Sequence, residues 1–301
     1  MSGISNTLKQ AFLLTYKKLS STCIQKRLGY SKDTKLLIIH ADDLGLSASE
    51  NAATIEAFKY GIVNSGSIMV PCPGFDEIAR YARDHPEADL GVHLTLNNEW
   101  ISYKWKSVMP TGEVRSLVDK EGFFLRDKRS LQNKSALPEI GKELRAQIDF
   151  ALKAGIDVTH LDSHMFIAFS PKVFKTYSDL GKEYKLPVLL TNKLPLCYLL
   201  ARDSIIVDKL FYAEPEDYSG GLDKFYRNTL ESLEPGLNSI LIHPAFNNKE
   251  MMEITRNQVN DGAAWRQADF DFFTSNACRQ LIIDNNIKLI TWREIRDKLV
   301  R

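Results

Sequence analysis

Two adjacent aspartates, Asp42 and Asp43, lie just beyond a short apolar run at residues 36–39. Four aliphatic residues in a row are typical of a parallel strand that is buried on both faces. Carboxylates this close repel each other where water is scarce, so they need a cation or a shared proton. Because α/β folds place their chemistry at the carboxyl ends of strands, we expect Asp43 to bind a divalent metal and Asp42 to act as a general base.

Histidines are the second type of metal ligand in the chain. Of the six, only His85 has the setting of a surface residue; the others lie in or at the ends of predicted strands, and they are His40, His93, His160, His164 and His243. In the strand-like stretch 159–164, alternation turns His160, Asp162 and His164 to the same face. Buried imidazoles and carboxylates need partners, which either a metal site or a hydrogen-bonded polar layer inside a barrel could supply.

One carboxylate and two imidazoles leave coordination positions open for water and substrate, as a catalytic metal site requires. We therefore expect the ligands to be Asp43, His93 and His164. His160 and Asp162 are then placed to support the ligands or to contact the substrate. This donor set suits Zn²⁺, Mn²⁺ or Fe²⁺, and Mg²⁺ is the alternative for a site richer in oxygen ligands.

His243 stands at the tip of another apolar run, at residues 240–242. It could be a fourth ligand, but a general acid that faces the metal is the interpretation we favour. A nucleophilic serine or cysteine mechanism is not expected, because the chain has no G-x-S-x-G turn and no cysteine next to a histidine.

Alternating strands and helices must position these side chains. Strand-like runs occur at residues 36–39, 67–70, 90–96, 158–164, 188–191, 204–207, 239–243 and 287–292. Helices are predicted at residues 47–60, 75–83, 138–154, 171–184, 263–285 and 293–300. This alternation predicts parallel strands joined by right-handed crossovers. The expected fold is an α/β, TIM-like (β/α) barrel of about seven parallel strands, and an open doubly wound sheet is the alternative.

The chain is predicted to hold one barrel domain, residues 35–301, preceded by an N-terminal helical extension, residues 1–34. The extension has an apolar stripe on one helical face, formed by Leu8, Ala11, Phe12, Thr15 and Leu19. It is expected to pack on the main body, and a membrane-surface or dimer contact is the alternative.

Composition excludes several classes of protein. The formal net charge is +1, from 39 basic and 38 acidic residues, so no overall field attracts nucleic acid or an anionic membrane. No apolar run approaches the roughly 18 residues of a membrane span. Four scattered cysteines and no recognisable signal peptide predict a cytoplasmic protein with reduced thiols.

Five segments together resemble the YdjC/ChbG-like carbohydrate deacetylases, which are distant relatives of the NodB-type polysaccharide deacetylases. The segments are LLIIHADDLGLS at 36–47, GIVNSGSIMV at 61–70, GVHLTL at 91–96, THLDSH at 159–164 and IHP at 242–244. They occur in the order of the family, and their combination is specific although each alone would be weak. The first 34 residues lie outside the resemblance.

The resemblance implies a hydrolase of linear amide C–N bonds that removes N-acetyl groups from amino sugars or short oligosaccharides. It implies the same metal ligands as the residues themselves predict, with Asp42 as the base and His243 as the acid. A late arginine of the family matches Arg266, which would orient Asp42 or the acid, or would lie on the surface. Where many members have further histidines after HLDSH, this chain has Met165, Phe166 and Ile167, so the identity of the sugar does not carry over.

A long stretch at residues 97–135 interrupts the alternation and contains five aromatic residues, Trp100, Tyr103, Trp105, Phe123 and Phe124. Irregular stretches of this length are usually functional loops. The aromatics are expected either to stack on sugars or to pack against the barrel.

Two other functions compete with deacetylation. One is a metal-dependent phosphoesterase or amidohydrolase with the same ligands, and the other is a sugar-binding barrel without catalysis. The adjacent Asp42 and Asp43 argue against the binding protein, because binding alone would not require this charged pair. The sequence specifies neither the sugar nor the oligomeric state, so a homodimer stays open.

Overall fold

The computed structural model of the protein describes residues 23–126, 128–194, 205–256, 258 and 262–301. The amphipathic helix predicted near the N-terminus lies outside these residues. Within the described ranges, no helix combines the length and the apolar character needed to cross a membrane.

A single sheet forms the centre of the described chain. Its strands are β1 Lys35–Leu44, β2 Ser65–Ile68, β3 Leu90–Leu94, β4 Leu161–Ser163, β5 Lys209–Phe211, β6 Gly236–Ile242 and β7 Ile287–Leu289. They pair in the order β4-β3-β2-β1-β6-β5, and β7 joins the start of β1. Every pairing between these strands is parallel. The carboxyl ends of the strands therefore meet at one end of the sheet.

Two isolated bridges connect the edges of the sheet. Leu161 of β4 pairs with Val188, and Thr191 pairs with Val207 just before β5, both in the parallel direction. Residues 188–191 thus lie between β4 and β5, and the sheet curls round on itself. The predicted α/β fold with a (β/α) barrel is confirmed.

Helices surround the sheet. They are α1 Ile24–Arg27, α2 Ala48–Tyr60, α3 Phe75–Asp84, α4 Lys128–Lys134, α5 Leu137–Lys153, α6 Phe174–Tyr184, α7 Pro215–Gly220, α8 Leu222–Glu231, α9 Lys249–Ile254, α10 Ala263–Thr274, α11 Asn276–Asp284 and α12 Trp292–Leu299. The predicted start of α2 is confirmed, because the Ser47 side chain accepts a hydrogen bond from the N–H of Glu50 (3.2 Å). This contact satisfies one of the backbone donors exposed at a helix start.

Several predicted elements have different bounds. The single helix predicted over 263–285 is two helices, because Ser275 is extended and its side chain caps the N–H of Cys278 (3.1 Å). The strand predicted over 158–164 is shortened to β4, since a 3-10 segment, His164–Phe169, begins at its end. At residues 188–191 the structure has bridges rather than a strand. Of the strand predicted over 204–207, the described residues 205–207 hold one bridge, at Val207, and the short β5 at 209–211 had no sequence signal.

Alternate residues of the apolar run in β1 belong to two different hydrophobic clusters. Leu37 and Ile39 belong to the larger cluster between sheet and helices, whereas Leu36 and Ile38 belong to a second cluster with Trp292. The second cluster also receives side chains from the segment before β1. The next residue on the face of Leu36 and Ile38 is His40, so this face changes from apolar to polar towards the carboxyl ends of the strands.

The described part of the stretch 97–135 has local structure of its own. Lys106 pairs with Phe123 in an isolated antiparallel bridge. The buried carboxylate of Glu143, on α5, accepts hydrogen bonds from the N–H groups of Val108 (3.0 Å) and Met109 (2.9 Å). These contacts anchor the stretch to helix α5.

Candidate metal centre

A bulge brings both aspartates into one pocket. Neighbouring side chains of a regular strand point to opposite faces. The register between β1 and β2 shifts between Ala41 and Leu44, and Asp43 has a left-handed backbone with φ of 65°. A bulge of this kind re-aims a side chain, and here Asp42 and Asp43 both line the same cavity. A left-handed backbone at a non-glycine residue is strained, and such strain is common at functional sites.

Asp43, His93 and His164 converge at the carboxyl ends of β1, β3 and β4. The Oδ1 atom of Asp43 lies 3.4 Å from Nε2 of His93 and 3.2 Å from Nδ1 of His164. One donor atom from each residue lies within 4.8 Å of the other two, and all three residues are buried. A carboxylate and two imidazoles in this arrangement fit a divalent transition-metal ion.

Two other groups of side chains in the described chain have comparable spacing, His40–His160–Asp162 and Asp42–His93–Asp162. Neither offers a complete set of donors to the cavity, because His40, His160 and Asp162 do not line it. The group of Asp43, His93 and His164 lines the cavity with all three members. A catalytic metal must be reached by substrate and water, so this group is the one that suits catalysis.

Each imidazole of the group turns its second nitrogen to a carboxylate. Nδ1 of His93 lies 2.8 Å from Oδ1 of Asp162, and Nε2 of His164 lies 2.8 Å from Oε2 of Glu99. Carboxylates in this position orient metal-binding histidines and make them stronger ligands.

An arginine holds the other oxygen of Asp43. Nη2 of Arg266 donates to Oδ2 of Asp43 (3.2 Å), and Nη1 donates to Oε1 of Glu50. Arg266 is only 2% exposed and Glu50 is fully buried. The alternative of a surface arginine is thus wrong. Its guanidinium contacts the candidate ligand Asp43.

The group carries strongly shifted pKa values. Burial raises the pKa of Asp43, but hydrogen bonds from His164 and His93 outweigh burial and hold it well below its usual range. Burial lowers the pKa of His164, whereas Glu99 and Asp43 raise it, to about 9 in balance. The pKa of His93 is likewise raised well above its usual value, because Asp162 and Asp42 outweigh burial. The carboxylates thus attract positive charge to this point, as protons or as a cation.

Asp42 and His243 lie beside this group. Nε2 of His243 is 3.9 Å from Oδ2 of Asp42 and 4.0 Å from Oδ2 of Asp43. His243 follows β6, and its backbone N–H donates to Oδ2 of Asp269 (2.9 Å). The other oxygen of Asp42, Oδ1, is buried and lies 3.1 Å from Nε2 of His40. Asp42 therefore lies between His40 on its buried side and His243 at the cavity.

Two further histidines form a layer beneath the candidate metal ligands. Nε2 of His40 lies 2.9 Å from Oδ2 of Asp162. Burial lowers the pKa of His40, but Asp162 and Asp42 raise it to about 9. The ring of His160 stacks on Trp292, with centroids 5.2 Å apart. His160 and Asp162 do not line the cavity. Asp162 contacts His40 and His93, and His160 packs on Trp292.

The cavity above these groups measures about 450 Å³. Its walls carry aromatic side chains on several sides, namely Trp100, Phe166, Tyr212, Tyr226 and Trp265. Trp100 comes from the stretch 97–135 and is 5% exposed, so it both packs against the barrel and borders the cavity. Such a cavity, with aromatic walls and a few convergent polar groups, is typical of a small-molecule site.

Sequence reasoning did not identify Glu99 and Glu50. Glu99 follows β3 in a stretch without periodicity, so its contact with His164, 65 positions away, has no local signal. Glu50 stands three residues after Ser47, a spacing that predicts an exposed capping-box glutamate. In the structure it is buried against Arg266, and burial raises the pKa of Glu50 well above its usual value even beside that guanidinium.

The chain matches a protein-family model described as YdjC-like protein, over residues 36–284. A carbohydrate deacetylase of Thermoanaerobacter pseudethanolicus is 30% identical over 264 residues, which cover 86% of this chain and 98% of the relative. A carbohydrate deacetylase of Brevibacillus brevis is 29% identical over 260 residues, or 86% of this chain and 99% of the relative.

A crystal structure of an Enterococcus faecalis V583 protein, described as a candidate cellobiose-phosphate cleavage protein, has the same architecture. Its TM-score is 0.73 at 28% sequence identity, over 87% of this chain and 99% of that one. The matched segments include every residue of the candidate centre, from Asp42 to Arg266.

Proposed function

The chain belongs to the YdjC-like protein family, and on that basis we propose that it is a metal-dependent carbohydrate deacetylase. It would hydrolyse the amide of N-acetylated amino sugars or short oligosaccharides. One observation carries the proposal: Asp43, His93 and His164 converge at the cavity, directly beside Asp42 and His243. The deacetylase names of the relatives support the substrate class.

The donor chemistry supports one divalent cation, held by Asp43, His93 and His164. When bound, such an ion supplies Lewis-acid polarisation of the acetyl carbonyl and lowers the pKa of a water molecule. The identity of the ion is left to experiment, because this donor set suits Zn²⁺, Mn²⁺ and Fe²⁺, and Mg²⁺ binds similar carboxylate-containing sites.

Asp42 is proposed as the general base. Its Oδ2 atom is on the side of His243, while Oδ1 lies 3.1 Å from His40 on the buried side. With Oδ1 on the buried side, Oδ2 is the oxygen that would accept the proton of the attacking water. The water oxygen bonds to the acetyl carbon at the same time.

His243 is proposed as the general acid. In its protonated form it donates a proton to the sugar nitrogen as the amide C–N bond breaks, which releases acetate and a free amine. Its side chain is 26% exposed, so it can regain a proton from solvent after each turnover. Its Nε2 atom lies 3.9 Å from Oδ2 of Asp42, so the proposed acid and base stand next to each other at the cavity.

Arg266 is proposed to position Asp43. Its guanidinium lies between Asp43 and the buried Glu50, and it does so from α10, at the opposite end of the sequence from β1. By occupying Oδ2 of Asp43, it leaves Oδ1 directed at the two imidazoles.

An assay of released products tests the proposed reaction. The protein is stripped with a chelator, divided among Zn²⁺, Mn²⁺, Fe²⁺ and Mg²⁺, and incubated with N-acetylglucosamine oligomers or with phosphoesters. Acetate that appears only after a metal is restored is the expected result. Phosphate instead of acetate would indicate the phosphoesterase, and binding of sugar with neither product would indicate the non-catalytic barrel.

A further inference from the structure

The two imidazoles of the candidate centre use different nitrogens. His93 faces Asp43 with Nε2, and His164 faces it with Nδ1. A histidine that binds metal through one nitrogen carries its proton on the other, and a hydrogen-bond acceptor at that second nitrogen fixes the choice. For His93 the acceptor is Asp162, on the neighbouring strand β4. For His164 it is Glu99, outside the barrel strands.

Residues 97–126, which contribute Glu99, Trp100 and Arg126 to the cavity wall, also hold Glu99 in place. Its backbone oxygen accepts a hydrogen bond from Nε of Arg126 (3.2 Å). The ring of Trp105 packs edge-on against His164, with centroids 5.9 Å apart, and its Nε1 donates to the backbone oxygen of Asn97 (3.0 Å). Residues 97–105 therefore contact His164 twice, through the Glu99 carboxylate and through the Trp105 ring.

The next residue in the same segment reaches a second ligand indirectly. The ring of Trp100 lies under the guanidinium of Arg266, 5.7 Å from centroid to Cζ. Arg266 in turn donates to Oδ2 of Asp43. Of two consecutive residues in the cavity wall, Glu99 thus contacts the candidate ligand His164 directly. Trp100 contacts Arg266, which supports the candidate ligand Asp43.

We propose that Glu99 is a positioning residue, which holds His164 with Nε2 protonated so that Nδ1 is free to bind the cation. The inference rests on the proposed function, because it assumes that Asp43, His93 and His164 hold a metal. Beyond that function, the inference assigns to the stretch after β3, through Glu99, the role of orienting one of the three ligands. In the absence of a carboxylate at Nε2, the His164 ring loses the contact that fixes both its tautomer and its orientation.

Zinc affinity measured by competition with a fluorescent chelator tests this role. The proteins compared are the wild type, Glu99→Ala, Glu99→Gln and Glu121→Ala, an exposed carboxylate of the same loop. Thermal unfolding of the metal-stripped proteins accompanies each measurement. Asp43→Asn serves as the reference for a lost ligand.

Glu99→Ala is expected to weaken zinc binding about 10–100-fold. Glu99→Gln should recover most of the affinity, because its amide oxygen also accepts from Nε2–H, and Glu121→Ala should match the wild type. Equal zinc affinity in Glu99→Ala and wild type would overturn the positioning role and leave the metal site intact. A wild type that binds zinc no better than Asp43→Asn would overturn the metal site itself and this inference with it.

Discussion

Arg266 donates to Oδ2 of Asp43 at 3.2 Å although 223 positions separate the two residues. The contact joins α10, near the end of the chain, to the bulge that ends β1. The buried guanidinium of Arg266 thus contacts a candidate metal ligand. The neighbours of Asp42 are instead two histidines, His40 and His243.

Replacement of Arg266 by leucine is predicted to destabilise the metal-stripped protein. Asp43 and Glu50 would lose the positive charge between them while remaining buried. Removal of one partner from a buried ion pair typically costs about 3–5 kcal/mol. Denaturant unfolding measures the change, and a second substitution, Glu50→Gln, should recover part of it. A loss below about 1 kcal/mol, the range of surface ion pairs, would contradict the buried network.

Asp42→Asn is predicted to reduce the rate of deacetylation by about 10²–10⁴-fold, the usual contribution of a general base. Asparagine has nearly the same shape but does not accept the proton of water. Zinc affinity should stay within a few-fold of the wild type, since Asp42 is not among the proposed ligands. Product assays and chelator competition on the same preparation check both expectations, and a large loss of metal would instead make Asp42 a ligand.

Asp43→Asn, unlike Asp42→Asn, is predicted to lose metal binding. It should therefore be inactive at ordinary metal concentrations. Asparagine tolerates the left-handed backbone of this position better than most residues, so the bulge should persist. Chelator competition and circular dichroism separate lost binding from lost folding. Retained binding with unchanged structure would remove Asp43 from the ligand set.

Gly91→Ala is predicted to destabilise the barrel by about 1–3 kcal/mol, as overpacking of a core does. A Cβ atom at this position of β3 would lie 2.5 Å from the His160 ring, which stacks on Trp292 and has little room to move. Gly112→Ala is the matched control, because no atom lies within 4 Å of a Cβ added at Gly112. Equal unfolding free energies for the two variants would show that the layer beneath the centre is loosely packed.

Asp157 gives a prediction for the pH dependence of stability. Burial raises its pKa, but hydrogen bonds from Arg296 and Arg293 outweigh burial and hold it below the usual 3.8. A carboxylate with a lowered folded-state pKa stabilises the protein above the unfolded-state pKa, and this contribution fades as the pH falls through the folded-state value.

Asp157→Asn should therefore destabilise the protein at pH 7 and have a smaller effect below pH 3.8. The side chain is 42% exposed, so solvent screening should keep the difference between the two pH values within about 1 kcal/mol. Urea unfolding of the wild type and of Asp157→Asn, at pH 7 and at a pH below 3.8, measures this difference in unfolding free energy. An effect of Asp157→Asn that grows on acidification would have the wrong sign for this ion pair.

The sequence predicts the residues of the centre better than it predicts their supports. Asp43, His93 and His164 could be grouped because each lies in or at the end of a predicted strand, and parallel strands bring their carboxyl ends together. Glu99 and Glu50 could not be added, because each acts through a partner that is distant in sequence. The spacing of Ser47 and Glu50 even favours a different, local role.

The limits of the fold prediction have a similar origin. The long apolar runs of β1 and β6 identify them as buried strands, and the barrel follows from their alternation with helices. The three-residue β5 has too few residues to show periodicity. The link between the sheet edges through residues 188–191 consists of single bridges, which depend on how the sheet curls.

The most direct test of the account is an anomalous difference map from crystals grown with zinc. We predict one peak in the cavity, with Oδ1 of Asp43, Nε2 of His93 and Nδ1 of His164 each within about 2.0–2.2 Å, the range of zinc–oxygen and zinc–nitrogen bonds. A well-ordered crystal with no peak among these three atoms, or with the ion held by another set of residues, would contradict the central claim.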